Sequence, residues 1–141
     1  MRRAAIAAPW WHPSPLVREW NTRRAELLAR LAAAEGFEPV VVHRSLMEAG
    51  VDDDADPEAR ARGLERTCAT IREIKAEGGA MYVLTTRRIW MSPGVVREVQ
   101  AWIDAPSGDV PWLYGPWKEW RGAFEHAGLL PEWQALVVPP C

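Results

Sequence analysis

The chain has 141 residues, of which 48% are hydrophobic and 26% charged, the size and proportions of one ordinary globular domain. Its formal net charge is −2, with the 17 Lys and Arg scattered rather than gathered in a stripe. That excludes the concentrated basic face a nucleic-acid polymer requires, while two or three placed donors still suffice for a small anion.

Arg2-Arg3 followed by Ala4 to Ala8 is basic and then apolar, but the run stops at Pro9. It is too short for a signal sequence or a membrane span, so a soluble, cytosolic protein is expected. The same run reads as a first, buried strand. Trp10-Trp11-His12-Pro13 follows, then Ser14-Pro15 as an N-cap with proline at the first helical position. Val17, Trp20, Leu27, Leu28 and Leu31 recur at helical spacing up to Gly36. Pro39 to His43 is a second, Val-rich strand.

Val51 to Ala55 is an acidic loop, and Asp56-Pro57 starts the next helix. Its buried stripe is Leu64, Cys68, Ile71 and Ile74, and Gly78-Gly79 ends it. Cys68 is expected as a buried thiol. With only Cys141 besides it, there is neither a disulfide framework nor a zinc-type pair. Ala80 to Thr85 is a third strand, Ser92-Pro93 begins a third helix to about Asp104, and Val110 to Tyr114 is a fourth strand. Gly115-Pro116 opens a Trp-rich helix to about Ala127, and Ala135 to Val138 is a candidate fifth strand. Nine of the aromatic residues are Trp, against two Tyr and two Phe, and most are expected as core anchors.

Short strands alternating with helices predict a single α/β domain over residues 1–141. The expected architecture is a doubly wound parallel sheet of four to five strands, flavodoxin-like, in three α/β/α layers. Ligands of such sheets bind beyond the carboxyl ends of the strands, where strand order reverses. That rule selects Pro9 to Ser14, His43 to Ser45 and Thr85 to Gly94.

Ser92-Pro93-Gly94 puts a hydroxyl and a small residue at a helix amino end, which suits an oxyanion. Glu98 lies one and a half turns further on, too deep to be a cap. Gly94 and Trp102 flank it by about 40° on the helical wheel, which sets Glu98 on the border of the apolar stripe. A carboxylate there is costly unless paired or used, and Gly94 opens space beside it. Both features also have plain structural alternatives: Ser92-Pro93 as a helix start, and Glu98 as a boundary residue reaching for water. His43 at a strand end and Arg87-Arg88 in a loop carry the same ambiguity. His12, His43 and His126 are far apart in sequence and suggest no metal, and no G-x-G-x-x-G follows the first strand, so no cofactor is expected.

Taken together these residues resemble the nucleoside 2-deoxyribosyltransferase-like superfamily, particularly its small bacterial and phage members. The resemblance is strongest over residues 4–102. It rests on a strand ending in Pro9, Asn21-x-x-x-Ala25, and Gly36-x-x-Pro39 leading to His43. Asp53-Asp54-x-x-Pro57-Glu58-x-Arg60-x-x-Gly63-Leu64 follows, and Trp90-x-Ser92-x-Gly94-x-x-x-Glu98 is the most specific segment. It implies cleavage or transfer at the N-glycosidic bond of a nucleoside or nucleoside 5′-monophosphate. Glu98 would be the catalytic nucleophile at C1′. Ser92 and Gly94 would lie against the sugar or phosphate, Trp10 or Trp90 would form the base-side wall, and Pro9, Asn21 and His43 would complete the substrate site. Relatives assemble as homo-oligomers, so a dimer is expected, with no nucleic-acid polymer or membrane as partner.

The sequence departs from the family in several places, and its last 30 or so residues, including Trp117, Trp120 and Trp133, have no family counterpart. No aspartate stands near Ala69 and Thr70 to protonate the leaving base, Gly78-Gly79 replaces an acidic residue before the third strand, and Pro9-Trp10-Trp11 replaces a Gly-, Ser- or Tyr-containing loop. Two alternatives follow. One is a non-catalytic nucleotide-binding or sensing module. The other is a protein-interaction domain working through Trp112 and through Trp117, Trp120 and Trp133 of the Trp-rich C-terminal extension, residues 115–141.

Overall fold

The computed structural model describes residues 1–9, 12–42, 57–85, 93–105 and 112–140. Strand β1 (Arg3–Ala7) leads to helix α1 (Pro15–Ala34) and β2 (Glu38–Val41). Helix α2 (Pro57–Ala76), β3 (Ala80–Thr85), α3 (Pro93–Asp104) and β4 (Trp112–Pro116) follow. The chain ends in a 3-10 turn (Trp117–Trp120) and two short helices, α4 (Arg121–His126) and α5 (Leu130–Val137). The sheet has four strands in the order β2-β1-β3-β4, every pairing parallel. This is the doubly wound, three-layer architecture expected of alternating strands and helices.

Local chemistry sets the helix ends. Pro15 opens α1 after Ser14, whose carbonyl accepts from the Arg18 N–H at 3.1 Å; the Ser14 hydroxyl makes no capping bond. At the other end Gly36 has φ of 94°, and the Phe37 N–H closes back on the Ala32 carbonyl at 3.0 Å. Gly78, with φ of 72°, and Gly79 terminate α2 in the same way, the Gly79 N–H reaching the Ile74 carbonyl at 2.8 Å.

Alternation along the buried strands divides the core. Ala4, Ile6, Ala8, Tyr82 and Leu84 face α1 and the C-terminal helices, while Ala5, Ala7, Met81 and Val83 face α2 and α3. The first layer is aromatic: Trp117, Trp120, Phe124 and Trp133 are all buried in it. The second is almost wholly aliphatic, with Ile71, Ile74, Val95 and Val99 around one ring, Trp102.

Two expectations at the C-terminus need correction. Ala135 to Val138 is no fifth strand, because residues 130–137 form α5 with Pro131 in its first turn and Trp133 in the core. Packing of Trp133, Leu136 and Val137 at helical spacing outweighs the β-branched preference of Val137 and Val138. The helix expected from Gly115 is divided into the 3-10 turn and α4. Among the described residues no helix is long and apolar enough to cross a membrane.

Candidate functional site

The chain runs from β1 out to β2 and back across to β3, so strand order reverses between β1 and β3. The carboxyl ends at that point are Pro9, buried just beyond β1, and Thr85, which closes β3. Trp10, His43, Trp90 and Ser92 lie outside the described residues. Asn21 is buried on α1 and already partnered.

Gly94 and Glu98 are one turn apart on α3 and line one hollow of about 250 Å³. Its other walls include Leu64, Cys68 and Arg72 from α2, together with Arg97 from α3. The hollow beside Glu98 therefore lies between two crossover helices rather than against β1. Gly94 has a packing role there: a Cβ at this position would stand 2.8 Å from Leu64 Cδ1. Its missing side chain lets Leu64 settle against α3 and brings the two helices close.

Glu98 occupies the border position that its place in the apolar stripe of α3 requires. Its side chain is 24% exposed, and its Oε1 accepts from Arg72 Nε at 3.1 Å. Arg72 is 60% exposed, so water screens the pair and its net contribution to folding is small. The pair neutralises a half-buried carboxylate while engaging one of its two oxygens. Cys68 lies beneath it. Burial pushes the Cys68 thiol up, the Glu98 carboxylate adds to the shift, and Arg72 and Arg97 oppose it. A buried, neutral thiol of this kind is not a nucleophile at neutral pH. Among the described residues no group of three or more His, Cys, Asp or Glu is arranged to hold a metal ion.

Sequence reasoning missed two cations. Arg72 reaches Glu98 from a different helix, a relation no spacing along one chain segment announces. Arg24 was legible in principle, because it fills the gap at helical spacing between Trp20 and Leu27–Leu28 in the buried stripe of α1. It is 5% exposed, and its guanidinium carbon lies 4.1 Å from the Trp20 ring centre and 4.7 Å from that of Trp117. Burial pushes its pKa down to about 10, which still leaves it charged at neutral pH.

Fold and groove together define a doubly wound α/β domain carrying a half-buried carboxylate on its third crossover helix. No family model matches the chain, and no curated protein or solved structure matches it either.

Proposed function

We propose that the chain acts on the N-glycosidic bond of a nucleoside or nucleoside 5′-monophosphate, with Glu98 as the nucleophile. The observation that carries this is the placement of Glu98, half-buried beside an open hollow and one turn below Gly94. The order Ser92-x-Gly94-x-x-x-Glu98 and the doubly wound fold support the same chemistry. In the first step a carboxylate oxygen of Glu98 bonds to the sugar C1′ as the C1′–N bond breaks. The base leaves with the bonding electron pair and takes a proton. Water then attacks C1′, releasing the sugar, a proton and the ionised carboxylate; a second base in place of water gives transfer. Arg72 must let go of the carboxylate, or hold it by one oxygen, for attack to occur.

Incubating the protein with a panel of nucleosides, deoxynucleosides and their 5′-monophosphates tests this by release of free base. Release that disappears in Glu98→Ala is the expected result. Release undiminished by that change removes Glu98 from the chemistry.

A second reading, a nucleotide-binding module without turnover, is favoured by the Arg72–Glu98 pair, which already occupies the carboxylate. It predicts saturable thermal stabilisation by a nucleotide, equal in wild type and Glu98→Gln, and no free base. The interaction surface expected of the C-terminal tryptophans loses its footing, since Trp117, Trp120 and Trp133 are core residues.

A further inference from the structure

A charged group and a second N–H donor are buried side by side on the α1 face of the sheet, away from Glu98. Trp117 directly follows Pro116, which pairs with Thr85 at the carboxyl end of β3. Arg24, whose guanidinium carbon is 4.7 Å from the Trp117 ring centre, is thereby held against the residue that follows the carboxyl end of β4. Arg24 Nε and Trp117 Nε1 are both buried, and neither has a hydrogen-bond partner among the described residues. Among the described residues no carboxylate pairs with Arg24. Cation–π contact with Trp20 and Trp117 places the charge over two rings, but it supplies no lone pair to the in-plane N–H groups. Buried N–H donors are almost always matched by an acceptor, and a buried charge by an opposite one. One ligand meets both demands if it carries negative charge on oxygen.

We propose that Arg24 Nε and Trp117 Nε1 form a buried binding site for an oxyanion group, a phosphate or a carboxylate. The charged Arg24 Nε–H and the neutral indole N–H can each donate one hydrogen bond to an oxygen of such a group, and the guanidinium charge strengthens the first. The site shares no residue with the Glu98 hollow, so it stands or falls independently of base release.

The test is an NMR titration of the full chain, following the arginine Nε–H signals. Inorganic phosphate, acetate and chloride are added at constant ionic strength, with melting temperature measured in parallel. The Arg24 signal is identified by its loss in Arg24→Lys. It should shift saturably with phosphate or acetate and not with chloride, and whichever anion binds more tightly identifies the ligand class. Trp117→Phe keeps a ring over the guanidinium but removes the N–H. It should weaken binding about tenfold or more, as expected for a lost hydrogen bond to a charged acceptor. No saturable shift with either anion would overturn the proposal and leave water as the occupant. Equal affinity in wild type and Trp117→Phe would overturn it as well.

Discussion

The two faces of the sheet solve the same packing problem with different materials. The face under α1 is sealed by large rings, three of which tie their N–H groups to backbone while that of Trp117 is left without a partner among the described residues. Trp20 Nε1 donates to the Leu136 carbonyl, Trp120 Nε1 to that of Gly115, and Trp133 Nε1 to that of Trp117, each at 3.1 Å. The face under α2 and α3 is built mainly from aliphatic residues; apart from the buried Thr67 hydroxyl, which donates to the Val42 carbonyl, its polar contacts include an exposed rim where Arg72 meets Glu98 and Lys75 Nζ donates to the Ala101 carbonyl. Rings with anchored N–H groups fix the C-terminal helices in one arrangement. Aliphatic packing brings helices close and leaves a shallow groove whose charged groups reach water. Chemistry that needs a reachable carboxylate is therefore suited to the second face, and recognition by buried donors to the first.

The largest expected effect lies on the aromatic side. Phe124 is fully buried and packs its ring 5.2 Å from that of Trp117. Phe124→Ala should cost about 3–5 kcal/mol in urea unfolding; a loss near 1 kcal/mol would mean this layer is looser than drawn. On the aliphatic side the sensitive point is a close backbone approach. A Cβ at Gly79 would overlap the Arg3 carbonyl and stand 2.6 Å from Ile74 Cγ2. Gly79→Ala should therefore cost about 1–3 kcal/mol, by the same measurement. At the rim, Arg72→Ala should change stability by only about 0–1 kcal/mol, since exposed pairs are screened. A cost well above that would make the pair structural and weaken the case for Glu98 as a free nucleophile.

The smallest effect is confined to alkaline pH. A thiol whose pKa is raised in the fold contributes stability that is intact below its unfolded value of 9.0. That contribution fades as pH rises through the folded value, because the unfolded chain ionises first. In a Cys141→Ser background, Cys68 should resist iodoacetamide at pH 8 and react at higher pH or on unfolding, and Cys68→Ala should remove its share of the alkaline slope of stability. Rapid labelling at pH 8 would mean the groove opens to the thiol.

Much of the fold was legible because its punctuation is local. Pro15 and Gly36 bound α1, Pro57 and Gly78 bound α2, and Pro93 opens α3, each acting through its own backbone. The alternating burial of β1 and β3 follows from strand geometry once a parallel sheet is inferred. Ala135 to Val138 misled because a short run with two adjacent valines looks like a strand. Pro131 at the helix start and the spacing of Trp133, Leu136 and Val137 were the better signal. Within the candidate site, the border position of Glu98 could be derived from Gly94 and Trp102 on the same helix. What it faces could not, since that depends on Leu64 filling the notch at Gly94 and on the reach of Arg72 across to α3. Long-range contacts of this kind leave no period in the sequence.

Trapping a covalent intermediate tests the catalytic role of Glu98 most directly. A nucleoside or its 5′-monophosphate carrying fluorine at C2′ slows breakdown of a glycosyl ester enough for intact-mass measurement. The wild-type chain should gain the mass of the fluorinated sugar, mapped to the peptide containing Glu98, and Glu98→Gln should gain nothing. Base release without an adduct, or an adduct that persists in Glu98→Gln, would contradict the account.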